Sequence, residues 1–521
     1  MEEESASGSG GQKGSDLQLR LDELVAAVRA ARVYGKGDRE ITGVTHDSRQ
    51  VQPGFVFVAI PGFTHDGREF IPQALARGAV AVVQEGAPAG GYDGVPAVDV
   101  PDARLALAYL AAQFHGHPSR RLRVVGVTGT NGKTTTTFLV KWILEAAGHR
   151  VGLIGTVQNM IGDRVLAGTR TTPEATELQA LMARMVDAGC SHVVMEVSSH
   201  ALALARVASC EFDVAVLTNI TQDHLDFHKT FEDYWTTKAR LFERLGSSYL
   251  PEAAAKPAKA AVLNFDDSLG PVIAGRVSGR VISYGLGAGR DVALHDLSVT
   301  TAGISGRLTS PWGEAEMRSP LTGRFNAYNN LAALSVALWE GVDLPTALGA
   351  IARAPGVPGR FERVYEGEFT VVVDYAHTPD GLENVLRTAR QLTAGRVIAV
   401  FGAGGDRDRG KRPLMGEVVG RLADYAVITS DNPRSEDPEA IIAEIVPGFS
   451  RAAAAKPYHV EPDRRRAIEH AISLAGPGDL VLIAGKGHET YQEFNGYRID
   501  FDDRAVAREA LEARFGHERE R

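Results

Sequence analysis

Residues 124–140, VVGVTGTNGKTTTTFLV, pass from an apolar run through a glycine-rich turn into Lys133 and four threonines. That order predicts a β-strand, a tight turn and the first turns of a helix. Backbone N–H groups in such a turn, with the partial positive charge of the helix N-terminus, form a cradle for phosphates. In this reading Gly129, Thr130, Asn131, Gly132 and Thr135 surround a triphosphate, Lys133 contacts its β- and γ-phosphates, and the Thr134 hydroxyl holds a magnesium ion. A glycine turn before a capped helix would look similar; the strand before and the helix after favour the nucleotide. The spacing is unusual. The common phosphate loop has four residues between its first glycine and the Gly-Lys pair, whereas five separate Gly126 from Gly132 and two separate Gly129 from Gly132.

Outward from this stretch, short apolar runs alternate with helical patterns: VGLIGT, HVVMEV, VAVLTN, AVLNF and VISYG, then TVVVDYA, RVIAVFG, YAVITSD and DLVLIAG. Continuous apolar strands separated by helices predict parallel sheets covered on both faces. The cluster APGVPGR at 354–360 divides them into a central α/β domain over 118–355 and a third, Rossmann-like α/β domain over 356–521. Residues 17–117 form a smaller N-terminal α/β domain. It opens with the helical pattern LQLRLDELVAAV and closes with a helix around ARLALAYLAAQF. The polar, glycine- and serine-rich residues 1–16 read as a disordered tail. Ligands of open α/β sheets bind beyond the carboxyl ends of the strands. Thr128, Glu196, Asn219, Asp374, Asp406, Asp431 and Lys486 stand where the apolar runs stop, which predicts that both sheets face one site.

Composition narrows the function. The chain of 521 residues is too long for a single core, and its formal charge of −9 leaves no basic excess for binding nucleic acid. Cys190 and Cys210 make neither a disulfide framework nor a four-ligand zinc site and read as buried apolar residues in a reducing compartment. No apolar run reaches membrane-spanning length, and acids stand where a signal peptide needs bases. The expectation is a cytoplasmic protein.

Glu196 closes the run HVVMEV, and its oxygens suit magnesium. His224 in TNITQDHLDFH suits it less, and Lys238 in YWTTKARLF has by itself the look of a solvated helix face. Taken in order, GVTGTNGKTTT, MEVSSH, TNITQDHLDFH, YWTTKARLF, GRFNAYNNLAA, GVPGRFE and VVDYAHTPDGL resemble the Mur ligase family, which joins amino acids to the peptide stem of cell-wall precursors. The resemblance runs from about residue 40 to 495. It implies an ATP-dependent ligase in which Lys238 is carried as a carbamate, N6-carboxylysine. Glu196, His224 and that carbamate then hold two magnesium ions, with Thr134 at the nucleotide. It also places Asn326 and Asn329 near the adenine, Arg360 and His377 at the phosphates and Asp374 at the ribose, and it implies a monomer.

Within the family, THDSRQVQPGFVFVAIPGFTHDGREFI resembles a uridine-diphosphate-binding domain, with His46, Ser48, Phe63, Thr64 and His65 as contacts. RTTPEAT at 170–176 matches the segment holding the muramoyl-peptide through Thr171 and Thr172, joined by Ser198 and Arg206. Leu204, where a glutamine is usual, and Arg170, where an asparagine can stand, depart from the pattern. The motifs GAGGDRDRGKRP, SDNPRSED and AGKGHETYQ resemble those of members that add meso-diaminopimelate. Arg407, Asn432 and Arg434 would hold carboxylates there, Asp431 and Pro433 complete the turn, and Gly485 and Glu489 stand at the ammonium end. A guanidinium fork suits the extra carboxylate that distinguishes diaminopimelate from lysine. The implied reaction joins meso-diaminopimelate to the D-glutamate γ-carboxylate of UDP-N-acetylmuramoyl-L-Ala-D-Glu through an acyl phosphate, the third domain rotating about 354–360. The base accepting the amine's proton stays open, with His224 and Asp226 as candidates. The alternatives are the same ligase using L-lysine, a folylpolyglutamate synthase-like ligase, or a phosphate-loop protein using ATP for conformational work.

Overall fold

The computed structural model describes residues 19–519 apart from 89–90, 167, 169, 247–255, 257 and 454. Residues 1–16, expected as a tail, lie outside the described residues. The chain has three α/β domains arranged in two compact units. One unit comprises the described residues up to His117 with Ala175–Ala180; the other comprises Pro118–Glu174 and the described residues from Leu181 onward.

In the first unit a five-stranded sheet runs in the order Arg32–Tyr34, Ala97–Val100, Ala81–Glu85, Phe55–Val58, Gly43–Thr45, parallel except for the first. Phe57, Ala59, Ile71, Ala74 and Val82 form its core. The helix Ala103–Phe114 begins where the Asp102 carboxylate accepts from Leu105 N. The other expected helix is much shorter. Only Leu21–Val25 is helical, because its apolar stripe of Leu21, Leu24 and Val25 is complete after little more than one turn. The chain then turns through Ala30, at φ +59°, into the strand Arg32–Tyr34.

The second unit carries two large sheets. Seven parallel strands of the central sheet run in the order Val151–Ile154, His192–Glu196, Arg123–Thr128, Val214–Leu217, Ala260–Asn264, Arg280–Leu286, Val292–Thr300. Arg123–Thr128 comes first in the chain yet lies between later strands, so the order reverses beside the phosphate loop, where open α/β sheets bind ligands. The expected parallel strands are present, and antiparallel strands extend the sheet at both edges. One edge is extended by the antiparallel hairpin Asn159–Ile161 and Arg164–Leu166, and the other by the antiparallel strands Gly303–Ser310 and Gly313–Ser319. Their residues alternate between buried and exposed, as strands with one open face do. Helices Lys133–Ala146 and Arg324–Trp339 pack into the main core beside Val125, Val127, Val194, Val214 and Val216.

The third domain is a six-stranded sheet in the order Glu362–Glu366, Thr370–Asp374, Leu480–Ala484, Val397–Phe401, Tyr425–Ile428, Tyr458–Val460, parallel except for Glu362–Glu366. Its two faces are covered by separate apolar layers, one around Leu386, Val419 and Ile445 and the other around Ile468, Ile472 and Val506. Cys190 and Cys210 are both buried and stand outside any disulfide. Among the described residues no helix is long and apolar enough to cross a membrane.

Candidate active site

The turn after Arg123–Thr128 is fixed from behind. Thr130 N donates to Asn219 O at 2.8 Å and Asn131 N to Asn219 Oδ1 at 3.0 Å, while the Thr218 hydroxyl donates to Asn131 O at 2.6 Å. Two glycines are required. A Cβ on Gly129, at φ +143°, would stand 1.9 Å from Thr218 Oγ1, and one on Gly132, at φ +83°, would stand 2.4 Å from Asn329 Oδ1. Gly132 caps the helix Lys133–Ala146 without a side chain, so the helix's first N–H groups stay open to an anion.

Lys133 folds back onto this turn, donating to Gly129 O at 3.0 Å and Thr130 O at 2.8 Å. Lys238, buried on the helix Phe231–Glu243, donates to the same Gly129 oxygen at 2.9 Å and lies 4.6 Å from the Tyr234 ring. Burial, with the neighbouring Lys133 ammonium, drives the Lys238 amine well below the usual lysine range, against the pull of Asp223. Burial also lowers Lys133, with Glu196 and Asp223 opposing.

Glu196 ends its strand with both oxygens engaged by one residue. Thr156 N donates to Oε1 at 2.9 Å and the Thr156 hydroxyl donates to Oε2 at 3.0 Å. Around it, Thr171 Oγ1 lies 2.9 Å from Thr156 Oγ1, and the Thr172 hydroxyl donates to Glu196 O at 2.8 Å while accepting from Ser198 N at 3.2 Å. Arg206 reaches Thr172 O at 3.1 Å and pairs with Glu174 at 2.7 Å. Arg170 pairs with the same carboxylate at 3.2 Å, and Leu204 caps the helix Ser199–Ala203. The structure therefore gathers Thr171, Thr172, Ser198 and Arg206 at one strand end.

His224 stands at φ +53°, its Nε2 3.4 Å from Asp223 and its ring edge-on to His200 at 4.9 Å. Burial lowers its pKa to about 3, against the pull of Asp223. The side chain of Asp226 lies outside the described ones. Among the described residues no three His, Cys, Asp or Glu side chains gather into a metal cage.

The third domain reaches this centre. Arg360 Nη2 donates to Thr134 Oγ1 at 3.1 Å, its guanidinium 4.3 Å from the Tyr375 ring. Asp374 accepts from Phe361 N at 2.6 Å and Ala376 N at 2.7 Å, so its carboxylate holds the turn that presents Arg360. His377 is exposed and bonds through Nδ1 to Tyr375 O at 2.8 Å. Asn131 Nδ2 donates to Asp380 at 2.6 Å, the Thr221 hydroxyl donates to the same carboxylate at 3.2 Å, and Lys411 pairs with Asp223. Asn326 and Asn329 form a buried pair, Asn329 Nδ2 donating to Asn326 Oδ1 at 2.9 Å behind the phosphate loop.

Within the third domain, buried Lys486 donates to Asn432 Oδ1 and Glu489 Oε2, each at 3.0 Å, and Asn432 Nδ2 donates to Glu489 Oε2 at 2.8 Å. Arg434, at φ +52°, donates to Gly405 O at 2.7 Å with its Nε 3.6 Å from Glu493. Gln492 Nε2 donates to Asp431 O at 2.8 Å, Gly405 N binds Asn432 O at 2.9 Å beside Pro433, and Gly485 N binds Asp374 O at 3.1 Å. Arg407 is exposed, bonding to Asp406 O at 2.9 Å.

In the N-terminal unit, His46 and Ser48 follow the strand Gly43–Thr45, and Phe63, Thr64 and His65 follow Phe55–Val58. The Ser48 hydroxyl donates to Gln73 at 2.7 Å, Phe63 is 80% exposed beneath Arg104, and His65 faces Glu69. No sequence motif points to Thr156, Asp223, Asp380 or Lys411 individually. Thr156 follows the apolar run VGLIG, where the strand-end rule that picked out Glu196 also applies.

Three family descriptions match the chain in succession: "Mur ligase family, catalytic domain" over residues 40–115, "Mur ligase middle domain" over 127–337 and "Mur ligase, glutamate ligase domain" over 359–487. The UDP-N-acetylmuramoyl-L-alanyl-D-glutamate–2,6-diaminopimelate ligase of Geobacillus thermodenitrificans is 48% identical over 497 residues, covering 95% of this chain and 100% of that protein. The UDP-N-acetylmuramyl-tripeptide synthetase of Roseiflexus sp. is 50% identical over 502 residues, covering 95% and 99%. A solved UDP-N-acetylmuramoyl-L-alanyl-D-glutamate–2,6-diaminopimelate ligase superposes with a TM-score of 0.68 at 34% identity, covering 96% of this chain and 100% of that one. Folylpolyglutamate synthase from Mycobacterium tuberculosis shares the fold at 19% identity and a TM-score of 0.59, covering 79% and 95%. A glycine-rich loop bonded by an arginine from the third domain, three family descriptions in order and near-half identity over the full length of relatives have one meaning: the chain belongs to the Mur ligase family.

Proposed function

We propose that this ligase joins meso-2,6-diaminopimelate to the D-glutamate γ-carboxylate of UDP-N-acetylmuramoyl-L-Ala-D-Glu, consuming ATP and releasing ADP and phosphate. The observation that carries the reading is the bond from Arg360 to Thr134. Through Asp374, which holds the Arg360 turn and whose carbonyl accepts from Gly485, the amino-acid pocket is tied to the phosphate loop.

The γ-carboxylate attacks the γ-phosphate of ATP in line, giving an acyl phosphate whose carbonyl the free amine of diaminopimelate then attacks; phosphate leaves and the amine gives up a proton. Lys133 and Arg360 lie where they would offset charge on the transferring group, and His377 would join them from the third domain. Asn326 and Asn329 back the loop on the adenine side, and Asp374 would meet the ribose. Thr171, Thr172, Ser198 and Arg206 would orient the peptide, with His46, Ser48, Phe63, Thr64 and His65 on the uridine diphosphate. Arg407, Asn432 and Arg434 would grip carboxylates of the amino acid and Glu489 its ammonium.

Lys238 is suited to carbamate formation: a neutral amine attacks carbon dioxide, an N–C bond forms and one proton is released. The donor set fits magnesium, since the Thr134 hydroxyl, the Glu196 carboxylate and a carbamate on Lys238 are hard oxygen ligands, with His224 at the margin. Magnesium bound there would neutralise phosphate charge. We infer further a cytoplasmic monomer.

Phosphate release with the uridine-linked muramoyl-dipeptide, comparing meso-diaminopimelate with L-lysine, tests the reading. Turnover is expected with the former and little with the latter; equal turnover would remove the specificity claim.

A further inference from the structure

Thr156 has no part in the assignments above, yet it touches two of the groups they depend on. Its amide and hydroxyl take one Glu196 oxygen each, at 2.9 and 3.0 Å. Its Oγ1 also lies 2.9 Å from Thr171 Oγ1. The preceding backbone lies against the same carboxylate: a Cβ on Gly155 would stand 2.5 Å from Glu196 Oε1.

The direction of these bonds follows from the groups. A carboxylate offers only acceptor oxygens, whereas a hydroxyl has one proton and two lone pairs. With the Thr156 proton directed at Glu196 Oε2, the contact with Thr171 can form only if Thr171 donates. The chain then runs from Thr171 through Thr156 to Glu196. It leaves Thr171 with its proton committed and its lone pairs open, so Thr171 can meet an N–H or O–H of a ligand but not a carbonyl or carboxylate.

We propose that Thr156 is a positioning residue that clamps the Glu196 carboxylate and presents Thr171 to the muramoyl-dipeptide solely as a hydrogen-bond acceptor, toward an amide N–H or a hydroxyl. This rests on the reading of Thr171 as a contact with that substrate.

The test is direct binding of UDP-N-acetylmuramoyl-L-Ala-D-Glu by calorimetry without nucleotide or metal. Thr156→Val keeps the amide bond and deletes the hydroxyl. Its dissociation constant should rise about five- to tenfold, the scale of one hydrogen bond in a partly buried network, while Thr156→Ser should stay within about twofold of the parent. Thr171→Val should weaken binding to a similar extent. The double variant should be little weaker than Thr171→Val, because the two hydroxyls act in series. The KM for diaminopimelate should not move. Thr156→Ala makes the same deletion should the valine variant not fold. Parental affinity in Thr156→Val or Thr156→Ala, with weakened binding in Thr171→Val, would overturn this assignment alone. Parental affinity in Thr171→Val would overturn both it and the reading of residues 170–176 on which it rests.

Discussion

The proposed phosphate cradle and the proposed amino-acid site both lie beyond the carboxyl ends of parallel strands, yet they are built from different materials. The cradle is mainly backbone. Its shape comes from Gly129 and Gly132, and it is pinned by the side chains of Thr218, Asn219 and Asp380, while two lysine amines share one carbonyl. The amino-acid site is mainly side chains already bonded to one another: Lys486 to Asn432 and Glu489, and Arg434 to Gly405 with Glu493 nearby. A backbone site suits a polyphosphate, whose recognition needs no particular side chain. A side-chain network can be re-specified residue by residue. The contrast implies that changes in the cradle should abolish turnover, whereas changes in the amino-acid site should alter preference and affinity.

The largest effect is expected at Lys238. Lys238→Ala should lower phosphate release by at least about a thousandfold, since it removes a group proposed to act on transition-state charge, and short-chain carboxylates should restore part of it. Unchanged turnover would break the contrast at its stronger end. Next comes Lys486→Met. It leaves Asn432 and Glu489 without their buried cation, and loss of one partner of a buried ion pair costs about 3–5 kcal/mol. Denaturant unfolding should register that loss, and the KM for diaminopimelate should rise with it. Arg434→Lys keeps a charge but loses the planar fork, so the KM for diaminopimelate should rise about tenfold with the KM for ATP unchanged. A shift in both constants would mean that the two regions are not energetically separate.

The smallest effect belongs to the amino ends of the central sheet's strands, where Glu340 pairs with Arg123 at 2.7 Å and faces His192 at 3.4 Å. Burial pushes its pKa up, but the hydrogen bonds from His192 and Arg123 prevail and lower it from 4.5 to about 2. A carboxyl group depressed in the folded state adds stability that is present above pH 4.5 and lost as pH falls through about 2. Glu340→Gln should therefore flatten the acid limb of thermal stability in that window without altering turnover at neutral pH.

The parallel strands were legible because fully buried strands have no reason to alternate, and runs such as HVVMEV and DLVLIAG stand out against polar helices. The antiparallel additions were not. Gly303–Ser310 and Gly313–Ser319 mix buried and exposed positions, so neither reads as a continuous apolar run. The phosphate loop was legible for the opposite reason, since its chemistry is local. What the sequence hid is how far candidate ligand-binding groups are occupied by each other. That Glu489 Oε2 takes Asn432, or that Lys486 reaches Asn432 Oδ1, depends on contacts between segments more than fifty positions apart in the chain. Thr156 was overlooked because its importance lies in touching Glu196, forty positions away.

The tightness around Gly129 and Gly132 bears on how such loops can be exchanged between proteins. With Thr218 and Asn329 filling the space where any β-carbon would go, the turn is moulded by the domain interior behind it and does not behave as a detachable cassette. Grafting the common four-residue spacing here would require recutting the neighbouring strand end and the helix Arg324–Trp339 as well, so a motif of a few letters is in this protein the visible rim of a much larger casting.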